Sequence, residues 1–272
     1  MAQAITEVRN PFDQELVGTL PEQTSDDVAA AIGSAVGSLD TPIPGHERYR
    51  ILMAAAAALD EAADEVAEVI AREGSKTIRE ARREPPRAAD ILRLSADAAR
   101  RIQGQTLPFD IKPGSENRRG YFMRVPVGVV GAILPFNDPL AVAAHKLGPA
   151  LAAGPAVVLK PDSRTPFAPL RLVEILKAAG LPEDRLQVVT GEGGVVGKAL
   201  VEDSRVRLIS FTGGLATGQE ITRTAGIKKL ILEMGANSAV IVMDDADLDR
   251  AVPAVVAGAV AQAGQHLPLS TN

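Results

Sequence analysis

Two kinds of hydrophobic patterning divide the chain near residue 126: helical spacing dominates before it, and short apolar runs alternating with helices follow it. Alternating residues flank the turn Asn10-Pro11-Phe12-Asp13 and predict a hairpin over 7–20. Ser25, followed by Asp26 and Asp27, predicts an N-capped helix to about residue 36, because acidic side chains suit the positive end of a helix. An Ala-rich amphipathic pattern over 44–73, stopped by Gly74, predicts one long helix. The helical region over 77–103 should break or kink at Pro85-Pro86, where proline removes an amide and crowds the preceding turn.

Residues 104–125 differ in kind. Alternating polar and apolar residues on either side of Pro113-Gly114-Ser115 predict a long hairpin projecting from the body. An edge of that sort needs a cover, which makes it a candidate oligomerisation arm. Beyond Pro126, strands are predicted at 127–134, 156–160, 186–190, 207–211, 229–233 and 239–242. Helices are predicted at 141–153, 166–179, 195–201, 216–224 and 248–263. This alternation predicts an α/β fold: an open, mostly parallel, Rossmann-like sheet with helices on both faces, preceded by the hairpin and helices and carrying the projecting arm.

Composition narrows the class. At 272 residues the chain can bury a sizeable core in one large domain or two small ones, and 46% hydrophobic with 23% charged residues is the composition of an ordinary soluble globular protein. Aromatics make up 3%, so Ala, Val, Leu and Ile must supply that core. A net charge of −5 offers no electrostatic footprint for nucleic acid. No apolar run approaches the ~18 residues of a membrane span, and the first residues lack the pattern of a secretory signal. A cytoplasmic location is expected. The three histidines (His46, His145, His266) lack metal-ligand spacing, and there is no cysteine; no metal site is expected.

Ligands of open α/β sheets bind beyond the carboxyl ends of the strands. The residues following the predicted strands are therefore the candidates: Pro135-Phe136-Asn137-Asp138-Pro139, Lys160-Pro161-Asp162-Ser163, Thr190-Gly191-Glu192-Gly193-Gly194, Thr212-Gly213-Gly214 and Glu233-Met234-Gly235. Singly, each has a plain reading. Lys160 is a strand-end surface lysine, Glu233 a strand-terminal acid, Asn137 a turn residue, and the glycines ordinary turn chemistry. No G-x-G-x-x-G follows the first of these strands, so an ordinary Rossmann fingerprint is not signalled.

Their combination says more. Pro135-Phe136-Asn137, Lys160-Pro161, Phe211-Thr212-Gly213, Leu232-Glu233-Met234-Gly235 and Gly264-Gln265 occur in this order, and with Glu73-Gly74-Ser75-Lys76 they resemble the aldehyde dehydrogenase superfamily from Asn10 to Gln265. The resemblance implies that Asn137 is an oxyanion-hole amide and Glu233 the general base for acyl-enzyme hydrolysis. It implies an NAD or NADP site in which Lys160 bonds the adenosine ribose and Gly193, Gly197, Phe211, Thr212, Gly213 and Gly214 line the adenine and pyrophosphate. Thr217 lies one turn into the following helix. Ile133, Leu134, Pro135 and Phe136 follow the strand end along which the cofactor lies, and Met234 and Gly235 adjoin Glu233. The implied organisation is a dinucleotide-binding domain over 1–250, interrupted by the arm at 104–126, with 251–272 beginning a truncated catalytic domain.

Two departures from the family pattern change the expectation. Ser163 stands where NAD-preferring members carry glutamate, leaving room for a 2′-phosphate, so NADP should be tolerated. After Gly264-Gln265, where the family places its thiol, the chain continues His266-Leu267-Pro268. Leucine cannot attack a carbonyl, and Ser270, three residues later, has no evident activating base. Three readings follow: an NAD(P)-dependent oxidoreductase of a small aldehyde in intact relatives, acting as a homo-oligomer; a nucleotide-binding module without turnover; or a fragment exposing the surface of a missing domain. The chain alone is expected to be inactive.

Overall fold

A computed structural model describes residues 4–235 and 239–265. The chain opens with an antiparallel pair, β1 (Ile5–Arg9) and β2 (Leu16–Pro21). Then come α1 (Ser25–Ser38), α2 (Gly45–Glu61), α3 (Ala63–Gly74), the short α4 (Ile78–Ala81) and α5 (Glu84–Ala99). Strands β3 (Gln105–Leu107) and β4 (Gly120–Phe122) form the arm, an antiparallel ladder of three pairs. The α/β body consists of β5 (Val129–Ile133), α6 (Pro139–Ala153), β6 (Ala156–Lys160), α7 (Phe167–Ala178), β7 (Leu186–Val188), α8 (Lys198–Glu202), β8 (Val206–Gly213), α9 (Leu215–Thr224) and β9 (Lys229–Met234). Last comes α10 (Leu248–Val260).

Five strands form one parallel sheet in the order β7-β6-β5-β8-β9. The α/β expectation holds, and the topology adds what periodicity did not give. The chain builds outward from β5 to β7, then crosses back and builds the other way from β8. The reversal leaves a crevice between β5 and β8 at their carboxyl ends, the usual ligand position in such sheets.

Period-two alternation sorts the core. Val130, Ala132 and Leu134 of the β5 segment, with Val157 and Leu159 of β6, face α2, α3, α5, α6 and α7. Val129, Ala156 and Val158 face the opposite side, with α1, α8 and α9. Among the described residues the largest side chains with no exposure are all Leu or Ile, as the scarcity of aromatics requires.

Several boundaries differ from the sequence expectation. Thr24, not Ser25, caps α1: its hydroxyl accepts from the Asp27 amide while Asp27 accepts from the Thr24 amide. The long helix predicted over 44–73 is interrupted at Ala62, which leaves helical geometry at ψ 8°. Pro85 and Pro86 do not kink a helix; they open α5, lying in its first turn where amides are unpaired in any case. Residues 239–242, predicted as a sixth strand, form no strand. Val240, Ile241 and Val242 are all exposed, and among the described residues no strand lies beside them to complete a ladder.

Candidate functional site

The crevice is built from four strand ends. Ile133 stands in register with Lys160 on one side and Phe211 on the other, so the β6 lysine and the β8 phenylalanine flank β5 at one level. One step further, Thr212 pairs with Glu233 and Gly213 with Met234. The amide of Leu134 donates to the Lys160 carbonyl, continuing the ladder to the rim. Pro135, Phe136 and Asn137 then turn over the sheet end before α6 begins.

Asn137 is buried, and its side-chain Nδ2 donates to the Gln265 carbonyl at 3.0 Å. Gln265 in turn donates from Nε2 to the Gly74 carbonyl, and Gln262 donates to Asp138 Oδ1. The Gly-Gln segment is thereby tied to the Asn137 loop. Beneath it lies a charged cluster that the sequence did not reveal: buried Lys76 donates to Glu84 at 3.1 Å and to Asp138 at 2.9 Å. Glu84 also accepts the amides of Leu140 and Ala141, so it caps the N-terminus of α6 from across the chain. Glu73 does the same for α7, accepting from Phe167 and Ala168. Burial pushes the Glu73 carboxyl up to about 8, against the pull of those two amides.

On the β6 side, Lys160 is buried, and its ammonium donates to the Pro161 carbonyl at 3.2 Å. Burial holds its pKa below the ordinary lysine value, with Asp162 opposing. Three donors on an ammonium leave two for a ligand. Ser163 is half-buried and donates to the Gly191 carbonyl at 3.2 Å. Arg164 pairs with Asp162 at 2.8 Å and lies over the Phe136 ring, 3.8 Å from its centroid. With the Thr165 hydroxyl, which donates to the Phe136 carbonyl, it ties the Lys160 loop to the Asn137 loop.

The glycine turns are open to a ligand. Gly191 lies at φ +136°, a conformation that L side chains rarely adopt, and leads into one π-helical turn over Gly193–Gly197. Nothing stands within 4 Å of where a Cβ would lie on Gly193 or Gly214, while on Gly197 it would meet the Lys160 side chain at 3.7 Å. Gly214 is the N-cap of α9, and among the described residues no side chain caps that helix, which leaves its first amides available to a ligand. Thr217 is exposed on α9. This donor set fits a dinucleotide: free helix amides and bare glycine backbone for a diphosphate, and a spare-handed lysine for a ribose.

Glu233, Met234 and Gly235 are exposed at the β9 end. Lys146 offers positive charge that nothing in the sequence places at the site. It is buried on α6, donates to the Ser210 hydroxyl at 2.9 Å, and lies close enough to Glu233 for the two charges to interact. Burial pushes it down to about 8, Glu233 opposing. Helical phase held the signal: 139, 143 and 146 share the buried face of α6. Leu267 and Ser270 lie outside the described residues.

A sheet reversing at β5/β8, with glycine turns and a lysine at the reversal, defines an α/β protein of the Rossmann-like class. The aldehyde dehydrogenase family profile matches residues 2–266, and the chain belongs to that family. It is 46% identical to aspartate-semialdehyde dehydrogenase 1 of Pseudomonas canavaninivorans, over 96% of this chain and 56% of that protein. It is also 46% identical to 3-sulfolactaldehyde dehydrogenase of Priestia megaterium, over 95% of this chain and 54% of that protein. NADP-dependent glyceraldehyde-3-phosphate dehydrogenase from Bacillus halodurans C-125, solved with NADP, superposes with a TM-score of 0.93 at 37% identity, over 97% of this chain and 56% of that one. The chain thus spans about half the length of these relatives. Among the described residues, no acid–histidine cluster could hold a metal ion, and no helix is long and apolar enough to cross a membrane.

Proposed function

We propose that this chain is the nicotinamide-dinucleotide-holding half of an aldehyde-oxidising protein, and that by itself it binds NAD(P) without completing the oxidation. One observation carries the reading: Asn137, Lys160, the Gly193–Gly197 turn and the Phe211–Gly214 turn converge on one crevice, in a chain of 272 residues with no cysteine. When bound, the dinucleotide supplies hydride-accepting chemistry. Lys160 and Ser163 would hold the adenosine ribose, and the α9 amides with Gly193, Gly197 and Gly213 the diphosphate. Asn137 would offer its amide to the oxygen of an aldehyde. Glu233, exposed at the rim, would take a proton from water. Nothing in the sequence would form the bond to the carbonyl carbon.

Ser163 supports tolerance of NADP. A neutral hydroxyl beside the Lys160 ammonium leaves a 2′-phosphate free of the repulsion that a carboxylate there would exert. The aldehydes named for the three relatives above carry carboxylate, sulfonate or phosphate groups, which favours an acidic short aldehyde for the completed enzyme. The arm of β3 and β4 would pair with another copy of the chain.

Calorimetric titration with NADP+ and NAD+ tests the reading, and both are expected to bind. Good NAD+ binding with none of NADP+ refutes that tolerance; binding of neither refutes the site. Reduction of NAD(P)+ by purified chain and an aldehyde, above the rate in buffer, would refute the predicted inactivity.

A further inference from the structure

At the amino ends of β6 and β7, the far end of the sheet from the crevice, two arginines meet with no acid between them. Arg185 ends the turn before β7 and is only 3% exposed. Its Nη1 donates to the Gly154 carbonyl, and its Nη2 to the Ser38 and Thr41 carbonyls, both at 2.7 Å. Arg48 of α2 donates from Nε to the Ala152 carbonyl at 2.9 Å and from Nη1 to the Ile43 carbonyl. Each of these acceptors is a neutral backbone oxygen, and among the described residues neither guanidinium forms an ion pair with a carboxylate. Burial holds the pKa of both below the ordinary arginine value; for Arg185, Asp184 opposes at longer range and Arg48 adds to the fall. The Arg185 Nε is buried and has no acceptor at all.

Both arginines line one cavity, walled otherwise by apolar side chains that include Ile51, Leu52, Leu151 and Leu181. Its volume of about 10 Å³ has room for one water-sized species. Charge decides what that species is. Ser38 closes α1, while Ala152 and Gly154 lie at the carboxyl end of α6. A helix carboxyl end carries about half a negative charge, so two of them offset roughly one of the two guanidinium charges and leave roughly one. We propose that the cavity is a site for one small monatomic anion, chloride under ordinary conditions, held between Arg185 Nε and Arg48. Of the five N–H donors of a guanidinium, Arg48 spends two on carbonyls, so donors remain for the ion. Phosphate or a carboxylate is too large for the space, and a neutral water would leave the buried charge uncompensated. The ion would fasten three connections together: α1 to α2, α6 to β6, and the turn before β7. Its effect therefore falls on stability and not on the dinucleotide crevice.

The test is thermal melting of the chain at constant ionic strength while gluconate, too bulky for the cavity, is replaced by chloride. The melting temperature should rise saturably, by about 2–4 °C at an about tenfold excess over the dissociation constant, and bromide should replace chloride. Crystals soaked in sodium bromide should show an anomalous peak in contact with Arg185 Nε and the Arg48 guanidinium. Arg185→Met keeps the length of the side chain and removes its charge, and the variant should lose both the rise and the peak. No chloride-specific rise in the parent protein overturns the proposal and gives the cavity to a water. A rise without bromide at the two arginines also overturns it, because the ion then acts elsewhere. A peak there without the rise in solution would mark an adventitious ion only and is equally fatal, as is an undiminished rise in folded Arg185→Met. If that variant does not fold, the two measurements on the parent decide alone.

Discussion

Glu73 shows how much a single buried group can be asked to do. Its carboxyl caps α7 through two amides, yet burial pushes it up to about 8 from an ordinary value of 4.5. Between those values the folded protein holds a proton that the unfolded chain has released. The contribution of Glu73 to stability is therefore fully present below about 4.5 and falls as pH rises towards 8, by up to ~1.4 kcal/mol per unit. Glu73→Gln keeps an oxygen to accept an amide and removes the titration, so urea unfolding between those limits should show a flatter pH profile in the variant. An unchanged slope would mean that Glu73 stays ionised when folded. At Ser163 the expected effect is on a ligand. Ser163→Glu places a carboxylate beside Lys160 and should weaken NADP+ binding at least tenfold while sparing NAD+, read by calorimetry; equal losses for both would indicate a damaged loop.

At the scale of elements, what was legible in the sequence was what local chemistry decides. Alternating apolar runs, Gly74, Gly154 and the strand-end residues located the strands, helix ends and rim correctly because propensity, caps and turns act over a few residues. Pro85-Pro86 misled because the same rule has two outcomes: proline breaks a helix interior but is accommodated in a first turn. The sixth strand misled for a different reason. Its residues have strand propensity, but a strand exists only with a partner, and pairing is not a local property. The Lys76–Asp138 and Lys146–Ser210 pairings could not be placed for that reason too, joining residues 62 and 64 positions apart. Contacts across the layers also explain a glycine inside β5. A Cβ on Gly131 would stand 2.8 Å from Ile209 Cδ1 and 3.2 Å from Leu200 Cγ. Gly131→Ala should accordingly cost ~1–3 kcal/mol through overpacking, measured by urea denaturation; a neutral result would mean that β5 and α8 can separate freely.

Taken as a whole, the molecule has stability and surface in different places. The two apolar clusters lie on the two faces of one sheet and draw on α1 to α9, while no described residue of α10 belongs to either. The same sheet that joins the clusters presents the crevice at its carboxyl edge, so the rigidity of the site comes from β5, β6 and β8 and not from the segment after β9. This division makes a sharp prediction. Leu159 has no exposure and sits on β6 one residue before Lys160; Leu159→Ala should cost ~2–5 kcal/mol, the lost burial plus the cavity left behind. Val256 is 56% exposed, and Val256→Asp should change stability by no more than ~0.5 kcal/mol. Parallel urea titrations of the two variants and the parent measure the difference directly. Comparable losses would mean that α10 is packed into the folding core.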